Sequence, residues 1–519
     1  MKRCNPYTRL MVSAVAGALT ALPGLAGGAS GSSGSSPHHE ATPITLRLDD
    51  GLVIGRRDGD SEAFLGLPYA QPPVGEARWR APRAASRLHG VRDARTPGPV
   101  CMQPMAPRGP EATLAQRPMS EDCLTLNIWR PLQRQHHALP IMVWLHGGAF
   151  RLGAGSLYLY NGAALAARQA ILVTVNYRLG PFGFLAHPAL NRDDEPGVNH
   201  GLLDQIAALR WIQDHARQLG GDPQRITLFG ESAGGASVGY LMTTPLAKGL
   251  FHRAIIQSGA LDLPERTRQQ GEQTAARLLA PVAGPAPTAE DLRQLPARVL
   301  IDLPWQRQDT MPMVDGQVVR KPMRQAFRDG DAAPMPLLIG SNDAESGFFP
   351  PAWSQAVVQQ LGDRWAAVRA QMPLPPAAGE AERAQRLATD VFATLPTWQV
   401  AQAHAGQAPV YLYRYGHVAA AQRGHAAGAI HTAELPLLFT PEGVGHPARE
   451  DAFVAAALQR WWTHFAHSGR PTPRHDRWPR LTAHAPRLMW IDAAGGQAIT
   501  VPDRTWLDIL ALHPDVHAN

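Results

Sequence analysis

From about residue 43 onward, short apolar runs alternate with segments of helical period. That alternation predicts an α/β protein with a parallel sheet and crossover helices. Residues 141–145 (IMVWL) are continuously apolar and end at His146-Gly147-Gly148, the profile of a strand buried on both faces. Residues 171–177 (ILVTVNY), 226–229 (ITLF), 337–339 and 410–415 (VYLYRY) predict further strands. Leu202, Ile206, Leu209 and Ile212 recur at helical spacing, with Gly220-Gly221 as the stop. Residues 452–467 predict a late helix carrying Phe453, Ala457, Trp461 and Phe465 on one face. The stretch 263–307 reads as helical insertions, 373–382 as a surface linker, and the Pro-rich 104–118 as irregular.

The first residues change the domain count. Lys2, Arg3 and Arg9 precede an uncharged apolar and small-residue run, and Ala26-Gly27-Gly28-Ala29 offers a cleavage site. Residues 1–29 therefore read as a secretory signal peptide, 30–42 as a flexible linker, and 43–519 as one domain. The run is short against the roughly 20 residues a membrane span needs, and Pro23 breaks it. A retained signal-anchor is the alternative. The expected location is secreted or periplasmic, with no membrane span in the mature chain. Export favours pairing of Cys101 with Cys123, two buried free thiols being the other reading. There is no CxxC and the histidines are dispersed, so neither a metal site nor a cofactor is expected.

The formal charge of +6 on 519 residues raises the question of nucleic acid. The positive residues are scattered, and Lys2, Lys248 and Lys321 are the only lysines, so arginine supplies the charge without a stripe or interleaved aromatics. That is a compositional bias, and no nucleic-acid partner is expected.

The chemistry lies in Gly230-Glu231-Ser232-Ala233-Gly234, a Gly-x-Ser-x-Gly directly after an apolar strand and before helix-compatible residues. A serine on a sharp strand-to-helix turn needs that spacing, because side chains two residues either side would collide. The turn exposes the hydroxyl and aims the Ala233 amide at a developing oxyanion. Such a serine needs a base, and the base an orienting carboxylate, in the order Ser, acid, His. Glu345, beyond the strand at 337–339, suits the acid, with Asp343 as rival. For the base, spacing leaves His404, His417, His425, His431, His446, His464 and His467, and a small-residue loop after a strand and before an apolar turn favours His431 only slightly. The Gly147-Gly148-Ala149 run after a buried strand suits the second arm of an oxyanion hole.

Taken together, these stretches resemble the type-B carboxylesterase family of the α/β-hydrolase fold, most closely bacterial para-nitrobenzyl esterase-like members. The residues that carry the likeness are Ser120-Glu121-Asp122-Cys123-Leu124, 143–150, Asn176-Tyr177-Arg178-Leu179-Gly180-Pro181-Phe182, Gly201-Leu202-Leu203-Asp204-Gln205, the elbow, Gln257-Ser258-Gly259 and Trp478-Pro479. The resemblance implies Ser232 as nucleophile, Glu345 as acid and His431 as base, the last in His431-Thr432-Ala433-Glu434-Leu435-Pro436. It implies oxyanion amides at Gly148, Ala149 and Ala233, and a Cys101–Cys123 disulfide. The implied activity is hydrolysis of small to medium carboxylic esters through an acyl-enzyme. Amide, carbamate, long-chain lipid or polyester bonds are alternatives, and a catalytically silent adhesion protein a more distant one. Ala149, Thr432 and Ser346 stand where relatives commonly have glycine. The loop between the cysteines lacks the aromatic that cholinesterase relatives use for choline.

Overall fold

Every residue of the strand Leu139–Leu145 is buried, because both faces of the sheet it belongs to are covered. Its side chains alternate: Leu139, Ile141, Val143 and Leu145 enter one core, Met142 and Trp144 the other. The computed structural model describes residues 44–511 except 134–136, 192–194, 196–197, 262–264, 441–447, 475–476 and 503. The expected leader (1–29), the expected linker (30–42) and His446 lie outside the described residues.

The main sheet has eleven strands. In chain order they are β1 (Arg56–Asp58), β2 (Ser61–Pro68), β3 (Thr125–Pro131), β4 (Leu139–Leu145), β5 (Ile171–Val175) and β6 (Gly221–Glu231). The remainder are β7 (Arg253–Gln257), β8 (Leu337–Asn342), β9 (Val410–Tyr415), β10 (Arg487–Asp492) and β11 (Gly495–Thr500). Across the sheet the order is β1-β2-β3-β5-β4-β6-β7-β8-β9-β10-β11. Strands from β5 to β10 in that order pair parallel, while β1, β2, β3 and β11 pair antiparallel at the edges. This is the α/β architecture the alternation predicts, with β6 near the middle.

Four helices frame the site and its supports: α1 (Gly180–Phe184), α2 (His200–His215), α3 (Ala233–Thr243) and α4 (Arg449–Ser468). Leu202, Ile206, Leu209 and Ile212 of α2 are all buried, as their spacing requires. Asp204 of α2 accepts from Arg178 Nε at 2.8 Å and Nη2 at 2.7 Å, a buried fork that ties α2 to the chain leaving β5. Gly469 ends α4 in a left-handed cap at φ 74.

Several expected boundaries shift. The stop after α2 comes earlier, at His215, and Gly221 instead opens β6, which runs back well before residue 226. On α4, Ala457, Trp461 and Phe465 are buried but Phe453 is 54% exposed. A spacing of four overshoots the 3.6-residue turn, so the outermost of four such positions drifts off the face. The stretch 104–118 contains one ordered piece, the 3-10 helix Pro110–Gln116, and the expected linker at 373–382 ends where a helix begins at Glu380. The 263–307 region holds the helices Arg268–Ala283, Ala289–Gln294 and Ala297–Asp302, the first two opened by capping boxes at Thr267 and Thr288. Among the described residues no helix is long and apolar enough to cross a membrane.

Candidate active site

Strand β6 delivers Ser232 onto a turn with φ 55 and ψ −122, after which α3 starts at once. The glycines around it are forced by contact. A Cβ on Gly234 would stand 1.9 Å from Leu145 O, and one on Gly230 would stand 2.5 Å from the Gly234 carbonyl carbon. Both obstacles are backbone, which cannot move aside, so the elbow closes only with hydrogen at these positions. Ser232 N donates to Gln257 O at 2.9 Å, fastening the turn to the end of β7.

The loop after β4 comes up beside that turn. A Cβ on Gly147 would lie 3.2 Å from Ser232 Cβ, which measures how near the two segments are. Gly148 (φ 99), Ala149 (φ 57) and Phe150 (φ 59) follow in left-handed backbone. The loop is braced from behind: Tyr177 Oη donates to His146 O at 2.7 Å, and Gln103 clasps Gly153 through both its amide atoms at 2.9 Å. Burial drives the His146 imidazole down to about 4, opposed only by its contact with Gly147 O. It is therefore a neutral packing ring, stacked on Tyr177 at 4.4 Å. Two of the three residues standing in place of glycine, Ala149 and Thr432 (φ 73), occupy positive φ. For β-branched Thr432 that is stored backbone strain immediately after His431.

Strand β8 leads into the carboxylate. Glu345, fully buried, accepts from Asn342 N at 2.8 Å and Ser258 Oγ at 2.5 Å on Oε1, while Oε2 meets His431 Nδ1 at 2.6 Å. Asp343 points elsewhere and accepts from Ala429 N at 2.7 Å. Three of the other histidines are engaged away from the turn: His404 Nε2 contacts Met335 O, His417 contacts Asp451, and His464 contacts Arg470 O. Ser232, Glu345, His431 and the Gly147–Phe150 loop thus converge.

Two further carboxylates crowd the same histidine, and the sequence pattern did not single them out for a role. Glu231 Oε1 stands 3.2 Å from His431 Nε2, the nitrogen left over once Nδ1 has met Glu345. Glu434 lies deeper, receiving Gln257 Nε2 and Asn342 Nδ2 at 2.9 Å each. Gln257 is itself held by Trp462 Nε1 at 2.9 Å. Burial opposes a charge on His431, yet Glu231 and Glu345 outweigh it and raise the imidazole to about 9. Burial pushes Glu231 well above the ordinary carboxylate range, and Glu434 and Glu345 add to the push against the pull of His431. The two shifts belong to one proton shared between the partners: whenever Glu231 holds it, part of the attraction lifting His431 is gone. Both groups sit above their ordinary values, and Glu231 Oε1 lies within ion-pair range of Nε2 without accepting a hydrogen bond from it.

Aromatic rings close the histidine side. Phe348 and Phe392 approach His431 edge-on at 5.4 Å and 6.4 Å, with Phe349 and Trp353 packed behind. Behind the opposite loop, Cys101 and Cys123 bring their Cα atoms to 5.0 Å, both buried.

A strand-borne serine at the middle of a mostly parallel sheet, with acid and histidine supplied from beyond later strands, defines a hydrolase of the α/β-hydrolase class. The sequence profile of the carboxylesterase family matches residues 42–373 and 375–503. Fumonisin B1 esterase of Sphingopyxis macrogoltabida is 35% identical over 486 residues, covering 85% of this chain and 87% of that protein. Para-nitrobenzyl esterase of Bacillus subtilis is 34% identical over 467 residues, covering 85% and 94% respectively. A solved PNB esterase structure superimposes with a TM-score of 0.76 at 32% identity, covering 90% of this chain and 100% of that one. The chain belongs to the carboxylesterase family, and it is an enzyme that hydrolyses carboxylic esters.

Proposed function

We propose that Ser232 is the nucleophile of an acyl-enzyme mechanism, with His431 as general base and Glu345 as the carboxylate that orients it. The observation that carries this reading is the 2.6 Å contact of buried Glu345 with His431 Nδ1, beside a serine on a strained elbow. Glu345 fixes the tautomer and leaves Nε2 to exchange a proton with Ser232 Oγ. The serine oxygen bonds to the ester carbonyl carbon, and its proton passes to Nε2. The carbonyl oxygen, now an anion, is received by the amides of Gly148, Ala149 and Ala233. Collapse breaks the bond to the alcohol oxygen, which leaves with the proton from His431. Water then gives a proton to Nε2, attacks the acyl carbon and releases the acid, and Ser232 regains its proton.

The rings of Phe348 and Phe392 beside His431 support small to medium esters with an apolar part on that side. The buried, adjacent Cys101 and Cys123 support a disulfide there, as an exported enzyme would form. The test is hydrolysis of short-chain p-nitrophenyl esters by wild type and Ser232→Ala. Activity should vanish in the variant, and comparable turnover overturns the reading. Glu345→Gln against Asp343→Asn decides the acid: only the first should be crippling.

A further inference from the structure

The loop placed at the oxyanion hole runs directly into a cation. After Phe150, Arg151 N donates back to Gly148 O at 3.0 Å. An i to i+3 closure of this kind holds the two Cα atoms within about 7 Å, so Arg151 stands one turn from the amides of the hole. Its half-buried guanidinium spends Nη1 on Trp305 O at 3.3 Å, and among the described residues Nε and Nη2 have no protein hydrogen bond. Two residues beyond Trp305 comes Arg307. Burial, and next the like charge of Arg151, pull its guanidinium down to about 10. Both side chains therefore remain cations at neutral pH. The nearby acid, Asp309, already receives Arg266 Nη1 at 2.9 Å and Gln306 N at 2.8 Å. The segment is tied to the loop through α1, whose Gly180 N donates to Phe150 O at 2.7 Å.

The half-buried Arg151 guanidinium, one turn from the hole and bonded among the described residues only through Nη1, can receive a planar anion on Nε and Nη2. A carboxylate matches the guanidinium fork, whereas a neutral ester cannot. We infer that Arg151 selects esters that carry a carboxylate on their acid or alcohol part. The site then has two unlike walls, aromatic at His431 and cationic at the oxyanion loop. This rests on the serine-esterase reading above.

Three esters separate the possibilities: p-nitrophenyl butyrate, mono-p-nitrophenyl glutarate with the carboxylate in the acid part, and 4-carboxyphenyl butyrate with it in the alcohol part. The readout is the ratio of kcat/KM for each anionic ester to that for the neutral one, at low and high salt. Arg151→Met should lower at least one ratio about tenfold, the loss expected for one charge-assisted hydrogen bond, and Arg151→Lys should recover part of it. Added salt should weaken the wild-type preference. Ratios unchanged in Arg151→Met overturn the inference. Wild type alone provides a second measure: glutarate should inhibit butyrate hydrolysis more tightly than the uncharged glutaramide, and equal inhibition overturns it too. Turnover surviving in Ser232→Ala would overturn only the serine reading, and the inhibitor comparison would still decide the role of Arg151.

Discussion

Glu231→Gln tests whether the carboxylate beside the elbow sets the working pH of this enzyme. The substitution keeps size and hydrogen-bonding capacity but removes the charge 3.2 Å from His431 Nε2. A full ion pair at that distance would be worth about 5 kcal/mol at an effective dielectric of about 20, an upper bound because burial drives Glu231 toward its protonated form. Opposite charges at such range move a pKa by about 1–3 units, and part of the rise of His431 comes from Glu345, which remains. A base works only when neutral, so activity is present above the pKa of His431 and is lost as pH falls through it. Deleting the Glu231 charge lowers that pKa. The acid limb of kcat/KM should therefore move down by about 1–3 pH units, the variant keeping more of its plateau activity at low pH than wild type does. The measurement is a pH profile with p-nitrophenyl butyrate, followed by pH-stat because the product phenol titrates in the same range. An acid limb that stays in place, or climbs, would show that Glu231 carries no charge in the resting site and would refute the ion-pair reasoning.

Two other expectations rest on different contacts. Ser258→Ala removes one of two donors to Glu345 Oε1, so the buried carboxylate should cost about 1.5–3 kcal/mol of stability, and kcat should fall as His431 is held less firmly. A urea midpoint and a kcat both equal to wild type would contradict this. Cys101 and Cys123 are 22 residues apart, a loop whose closure is worth about 3 kcal/mol in the chain-entropy model. Reductant should lower the unfolding midpoint of wild type but leave the Cys101→Ala/Cys123→Ala double variant unmoved, and a wild type indifferent to reductant would mean the thiols are not joined.

What could be read in advance divides by the range of the physics involved. The strands at 141–145 and 410–415 and the helix around Leu202–Ile212 were legible because burial on a fixed period writes itself into consecutive residues. The elbow was legible for a similar reason: Gly230 and Gly234 answer to backbone two residues either side of Ser232 and to one neighbouring strand. Choosing among seven histidines was a different problem. Local sequence favours His431 only slightly over His417, which is also buried and also faces a carboxylate, Asp451 at 2.7 Å. Only resemblance decided between them. The network beyond was harder still, since Gln257 meets Glu434 across 177 positions and Ser258 meets Glu345 across 87. Those residues sat inside recognisable stretches without displaying a function, because a polar side chain acquires one only from partners that folding brings to it. Arg151 is the converse case: its place is set by two adjacent left-handed residues and a one-turn hydrogen bond, yet its charge is one among many scattered arginines. Local chemistry pointed to the elbow, while the charges proposed to tune the site and to choose its substrate belong to the three-dimensional arrangement.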